Sequence, residues 1–255
     1  MNGYIGFFDI LGYKNFLKNT PNDDAQKAVL QQIVNIKKSV TESLKTSCNG
    51  NLPQGIDALI NQTQWIIFSD TIVFTIESVK SPEDNHFRCI VAFTTTKHLM
   101  TQMFNYGLPL RGALHFGQYN VIESSMAGTG IIESIESGQH LNASVCVLTQ
   151  KLVDQWLSFN DEKDSVFLDE VSIEYKILNR ENKREKQKCL MWFGKDDEDK
   201  KMQSDEIKNI LKEDKYGLYV RNAFWKHNKT VSDSKTKRKL KETERFIRYC
   251  VSKQK

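Results

Sequence analysis

No apolar run in this chain approaches the roughly 20 residues needed to cross a bilayer, which argues against a membrane-spanning helix. The first residues carry neither a basic stretch nor a small-residue cleavage site, so a secretory leader is not expected. Cysteine is sparse and scattered: Cys48, Cys89, Cys146, Cys189 and Cys250 are odd in number and contain no CxxC pair. That pattern excludes a disulfide framework and a zinc site, and places the chain in a reducing cytoplasm. The glycosylation sequons beginning at Asn61, Asn142 and Asn228 are then chance matches. His86, His98, His140 and His227 show no metal-ligand spacing. Ser69 has no nearby histidine or acid motif that would make it a nucleophile. Internal repeats are absent.

What is present suits a soluble protein. Hydrophobic residues at 39% can build a real core, and 255 residues allow one large domain or a domain with an appendage. The net charge of +4 hides an asymmetry. Residues 1–150 carry 10 Lys/Arg against 12 Asp/Glu, whereas 151–255 carry 26 against 20. After Asp214, 13 basic residues face only Asp233, Glu242 and Glu244. Such a tail could meet nucleic acid, anionic lipid or an acidic partner, or be a solvated helix face. Between Lys235 and Lys255 the charges fall on several faces around an apolar stripe of Leu240, Phe246, Ile247 and Cys250. That stripe suits a helix docked on its own domain or a partner subunit, so neither nucleic acid nor membrane is expected.

The strongest signal is a pair of carboxylates set in apolar strands. Phe8-Asp9-Ile10-Leu11-Gly12-Tyr13 ends a strand in an acid followed by a glycine turn, and Ile66-Ile67-Phe68-Ser69-Asp70-Thr71-Ile72-Val73-Phe74 holds a second lone acid. Aspartate is a poor strand residue and expensive to bury. Two of them ask for a shared compensating charge, for which a divalent cation with oxygen ligands is the simplest candidate. Either acid alone reads more readily as a helix cap. Their joint position in the order of elements favours the metal.

That order begins with a buried strand over 4–11 and a helix over 25–44. A hairpin of 64–68 and 71–77 has Ser69 and Asp70 in its turn, and a helix runs from Ser81 to about Tyr106. A strand over 108–116 is continued by a hairpin partner to Ile122. A helix (130–138), a strand (143–148) and a helix (149–158) follow. Short strands are expected at 166–168, 173–178 and 188–193, charged linkers at 195–206, and helices near 204–213 and 235–252. The expected fold class is α+β, a ferredoxin-like palm with an antiparallel central sheet and helices on one face. Residues 1–160 form the catalytic domain and 161–255 a C-terminal extension of short strands and basic helices.

Three motifs resemble class III nucleotidyl cyclases. Phe8 to Tyr13 is similar to the first metal motif and Phe68-Ser69-Asp70 to the second. Leu110-Arg111-Gly112-Ala113-Leu114-His115-Phe116-Gly117 is similar to the Arg-x-Gly strand. Within that superfamily the set resembles the bacterial pyrimidine cyclases of the Pycsar anti-phage systems, over about residues 4–150. The resemblance implies two Mn²⁺ or Mg²⁺ ions held by Asp9, Asp70 and the Ile10 carbonyl. It implies a triphosphate bound by Leu11, Gly12, Tyr13 and Ser69, and attack of the ribose 3′-hydroxyl on the α-phosphorus. It also implies a homodimer with interfacial sites, and a separate effector protein that reads the cyclic nucleotide. UTP is the favoured substrate and CTP the runner-up.

The chain departs from the family at two points. The family's helical Asn and Arg correspond to Ile132 and Glu136, and its purine-reading lysine corresponds to Ile66. Arg111, Gln139, His140 and Asn142 are the candidate replacements for the missing cation. Arg111 has two readings: a substrate-facing cation, or the partner of a carboxylate. Glu133 and Glu136 share a helix face without further sign of a metal. The competing functions are a purine cyclase or other palm nucleotidyltransferase, and an inactive, dimerising nucleotide sensor.

Overall fold

The computed structural model describes residues 1–20, 22–47, 56–123, 125–159, 162–193, 215–227, 229 and 233–253. The expected loop at 48–55, the charged linkers and the helix near 204–213 lie outside these residues. Two β–α–β passages come first: β1 (Asn2–Ile10), the helices α1 (Tyr13–Asn19), α2 (Asp23–Ser47) and α3 (Ile56–Gln62), then β2 (Gln64–Phe68), β3 (Thr71–Glu77), α4 (Pro82–Asn105) and β4 (Leu110–Gln118). A small hairpin, β5 (Asn120–Ile122) with β6 (Ser125–Ala127), precedes α5 (Thr129–Gln139), β7 (Cys146–Leu148), α6 (Gln150–Leu157) and α7 (Glu162–Val171). The strands β8 (Ser172–Leu178) and β9 (Arg184–Leu190) and the helices α8 (Lys215–Trp225) and α9 (Ser234–Lys253) complete the described elements.

The main sheet has seven strands in the order β2-β3-β1-β4-β7-β9-β8. Its first four strands, each antiparallel to its neighbour, have the ferredoxin-like arrangement in which β1 sits between β3 and β4. Among the described strands the one parallel pair is β4 with β7, so the sheet is mixed beyond the palm. Strand periodicity divides β1 between two faces. Tyr4, Phe8 and Ile10 join the principal core with α2 residues Val29, Ile33 and Ile36 and α4 residues Phe93, Leu99 and Met103. Ile5 and Phe7 point the other way, into a smaller cluster with Val73, Tyr119 and Ile131 of α5. Helices therefore cover both faces, contrary to the expectation of one. The reason is close backbone approach: a Cβ on Gly138 of α5 would lie 3.0 Å from the Gly112 Cα of β4.

Gly112 itself has no room for a side chain, since its Cβ would stand 2.1 Å from the Phe7 carbonyl oxygen. Gly112→Ala is expected to lower unfolding free energy by about 1–3 kcal/mol, an overpacking cost, measured by urea denaturation.

Other differences have local causes. Residues 166–168 lie in α7 and not in a strand, because three consecutive apolar residues carry no period of their own. Phe167 packs its ring against Trp156 at 5.0 Å between centroids. Strand β9 begins at Arg184, four residues before the strand expected from residue 188. Its first residues are solvent-exposed, where charge is tolerated. Residues 120–122 pair with β6 and do not extend the partner of β4. Helices α1, α3 and α8 were not expected. The basic helix is α9, and Phe246, Ile247 and Cys250 are buried in the principal core.

Candidate active site

Asp9 is the penultimate residue of β1, flanked by Thr71 on β3 and Arg111 on β4 in the antiparallel register. By period two it shares the α5-covered face with Ile5 and Phe7. Arg111 Nε donates to Asp9 Oδ2 at 2.7 Å, and Nη2 forms an ion pair with the same oxygen at 2.6 Å. Its third guanidinium nitrogen, Nη1, donates to the Leu141 carbonyl at 2.9 Å. The Arg111 side chain is 7% exposed and that of Asp9 17%, so the pair is largely desolvated. Burial pulls the guanidinium pKa down, and the adjacent Asp9 carboxylate opposes that shift. Arg111 is therefore held as a carboxylate partner, the second of its two sequence readings.

Asp70 closes the β2–β3 turn after Ser69, which takes a left-handed φ of 54°. The Ile10 amide donates to the Asp70 carbonyl at 2.8 Å, which places the turn directly beside the end of β1. The Asp70 carboxylate is half-buried and has no side-chain partner among the described residues. Its charge reaches two neighbours: the Tyr13 phenol pKa is raised first by burial and then by Asp70, and Asp70 also acts on Arg111.

The turn after Asp9 runs through Gly12, whose φ of 81° suits glycine and which precedes α1 without a side-chain cap. Leu11 does not offer its amide to a phosphate, as expected from sequence, because that N–H donates to the Pro109 carbonyl at 2.8 Å. Gly12 and Tyr13 remain as amide donors of the turn. Of the candidate cation replacements, Asn142 donates through Nδ2 to the Asn179 carbonyl at 2.6 Å and acts as a brace. Gln139 and His140 are exposed at the end of α5. His115 is a packed strand histidine, 1% exposed, with Nδ1 2.9 Å from Thr149 Oγ1. Its Nε2 lies 3.1 Å from Glu133 without hydrogen-bond alignment, and burial keeps its pKa down.

Sequence reasoning missed two cations near Arg111. Lys239 on α9 is half-buried; its ammonium pKa is lowered by burial and by Arg111 and raised by Asp9. Arg180, in the β8–β9 turn, acts on both Arg111 and Lys239. The only signal for Lys239 was its place on the flank of the apolar stripe, one turn before Thr243.

The donor set fits a hard divalent cation. Both Arg111 contacts go to Asp9 Oδ2, leaving Oδ1, and the Asp70 carboxylate has no hydrogen bond or ion pair among the described residues. No group of three or more His, Cys, Asp or Glu side chains able to hold a metal occurs among the described residues. Two carboxylates and a main-chain carbonyl suit Mg²⁺ or Mn²⁺, which is commonly completed by water and substrate phosphate.

No family model and no curated protein matches the chain. Among solved structures it is similar to the catalytic core of a rhodopsin-guanylyl cyclase with converted specificity in complex with ATPαS. The identity is 8%, over 74% of this chain and 94% of that one, with a TM-score of 0.47. At that distance the likeness assigns neither fold nor function, and the palm topology rests on the strand order itself. No described helix is long and apolar enough to cross a membrane.

Proposed function

We propose that the protein is a metal-dependent nucleotidyl cyclase that converts a pyrimidine nucleoside triphosphate, UTP before CTP, to its 3′,5′-cyclic monophosphate and pyrophosphate. The observation that carries this reading is the Ile10–Asp70 main-chain bond, which sets the Asp70 turn against the strand end bearing Asp9. Asp9, Asp70 and the Ile10 carbonyl are the groups that would hold the cations. Two divalent ions there would neutralise the triphosphate and make the attacking 3′-hydroxyl more acidic. The chain's own part is to hold both carboxylates in place. Arg111 fixes the Asp9 rotamer through one hydrogen bond and one ion-pair contact to a single oxygen, and the β2–β3 turn fixes Asp70. Gly12, Tyr13 and Ser69 border the space into which the triphosphate would enter.

A homodimer belongs to this reading. Phe68, beside Asp70 at the hairpin tip, is 77% exposed, and Ile122 and Ile132 are 74% and 57% exposed. Apolar groups of this size at the surface favour burial against a second copy. The pyrimidine preference rests on the motif resemblance and on Ile66 at the position of the purine-reading lysine. A cytoplasmic setting suits the buried thiols of Cys89, Cys146, Cys189 and Cys250, none of which is in a disulfide. The product would act on a separate effector protein in anti-phage defence.

Incubation with each of the four NTPs and Mn²⁺ is expected to yield cyclic UMP, or cyclic CMP, and pyrophosphate, and EDTA is expected to stop the reaction. Products from ATP or GTP alone would replace the pyrimidine assignment with a purine one. One observation favours a second reading, a nucleotide sensor without turnover: Arg111 is committed to Asp9. Saturable nucleotide binding with no cyclic product from any NTP would select it.

A further inference from the structure

Docking of α9 through its apolar stripe turns the other side of that helix to solvent. Every exposed residue of α9 is a lysine, an arginine or a serine. The two acids of the helix lie elsewhere: the Glu242 side chain is 5% exposed, and Glu244 is half-buried and paired with Arg248 at 2.8 Å. Asp233, just before the helix, is spent on its first turn, where it accepts from the Thr236 amide at 2.8 Å and hydroxyl at 2.7 Å.

The start of β9 adds to this face. Arg184 Nη2 donates to both Glu242 oxygens, at 2.9 and 2.8 Å, and Arg245 Nη1 donates to Oε1 at 2.7 Å. One buried carboxylate thus holds two guanidinium groups side by side and cancels only one of their charges. Arg238 Nη1 donates to Asn182 Oδ1 in the β8–β9 turn, which ties the helix to the same edge of the sheet. Between helix and turn runs an open groove of about 470 Å³. Its lining holds Arg184, Lys237, Arg238, Lys241 and Arg245 and, among the described residues, no acid but Glu242. Lys237, Lys241 and Arg245 stand four residues apart, so they form one row down the helix, about 12 Å long.

We propose that this face of α9, with Arg184 beside it, binds the phosphate backbone of a nucleic-acid duplex without regard to base sequence. The expectation that α9 would not meet nucleic acid is reversed, because docking one side of the helix gathers the cations on the other. A row of cations repeating at about one helical turn suits a regular polyanion better than a single phosphate group. The face lacks what competing anionic partners need. Membrane-surface helices insert apolar side chains, and Phe246, Ile247 and Cys250 of α9 are buried in the core. Protein interfaces centre on apolar or aromatic anchors, and single strands stack on aromatic rings; the exposed residues of α9 include neither. The proposal uses none of the residues of the cyclase reading and stands without it.

Fluorescence anisotropy with labelled duplexes of about 20 base pairs, two helical turns, tests it on the full-length protein, with DNA and RNA in separate arms. Four phosphate contacts give an expected slope of about −3.6 in log affinity against log salt for DNA, a loss of roughly 100-fold for a fourfold rise in salt. Lys237→Gln combined with Lys241→Gln is expected to flatten that slope by about 2 and to weaken binding at low salt at least tenfold. Lys97→Gln, at an exposed position of α4, is expected to change neither. All three lysines are exposed and glutamine is a good helix former, so thermal midpoints should match the parent.

Binding of either duplex with these dependences supports the proposal, and the arm that binds identifies the source of the phosphates. It is overturned if neither duplex binds at low salt, if the double variant keeps the parent slope, or if Lys97→Gln weakens binding equally. Phosphatidylserine vesicles and polyglutamate are the competing probes. Tighter binding to either of them than to both duplexes overturns it as well, by making the face a membrane or acidic-protein surface.

Discussion

Asp70→Ala is expected to abolish cyclic nucleotide formation and leave folding stability unchanged, whereas Asp9→Ala is expected to damage both. The difference follows from what each carboxylate touches. Asp70 is half-buried in a turn with no side-chain partner among the described residues, so its removal strands nothing. Loss of a group that stabilises developing charge typically costs a factor of about 10²–10³ in turnover, and loss of a shared ligand at least that. Asp9 stands against a guanidinium that is 7% exposed. Removing one member of a buried pair leaves the other charge uncompensated, at a cost of about 3–5 kcal/mol. Steady-state assays with UTP and Mn²⁺, run beside urea unfolding of each variant, check both halves. Normal turnover in Asp70→Ala would end the two-metal reading, and an unchanged unfolding midpoint in Asp9→Ala would show the Arg111 pair to be energetically idle.

A chain ending at residue 160 is expected not to fold, although the sequence divides there by character. The truncation removes β9, which pairs with β7 through Val147 and Cys189, and leaves β7 as a bare edge. It strips Trp192 from its 5.0 Å ring contact with Phe104, and its indole N–H from the Ser144 carbonyl at 3.2 Å. Phe193, Val220, Phe224, Phe246 and Ile247 leave the principal core with it. Full burial of each large apolar side chain is worth about 1.5–3 kcal/mol, against about 5–15 kcal/mol for the net stability of a domain. Losing this many exceeds that margin. Circular dichroism during thermal unfolding should show no cooperative transition, and a soluble 1–160 chain that melts cooperatively would make the palm autonomous. Phe246→Ala in the full chain is the milder companion, expected to cost about 3–5 kcal/mol.

The legible parts of the fold were those whose periodicity is local. Strands β2 and β3 fall at the bounds expected from their apolar runs, because the polar Ser69-Asp70 pair between them reads only as a turn. Helix α9 announced itself through a stripe at helical spacing, and α4 through Ser81-Pro82, where the Ser81 hydroxyl does accept from the Asp84 amide. Residues 166–168 were misread because three adjacent apolar residues fit a strand and a buried helix turn equally. Helices α1 and α3, each of seven residues, are too short to display a period. The candidate site divides the same way. Asp9 and Asp70 stood out as charges that apolar strands should not contain. Lys239 did not, because a lysine in a basic helix has no local feature that marks it.

From the chain alone follow the two misplaced acids, the glycine after the first and most of the order of strands and helices, since each depends on neighbours a few residues away. The tertiary structure alone decided that Arg111 grips Asp9 across 102 positions of sequence, that the Leu11 amide is spent on Pro109, and that Lys239 arrives from α9. Those contacts come from sheet register and helix docking, which minimise buried unpaired polarity over the whole core. No local window contains that sum.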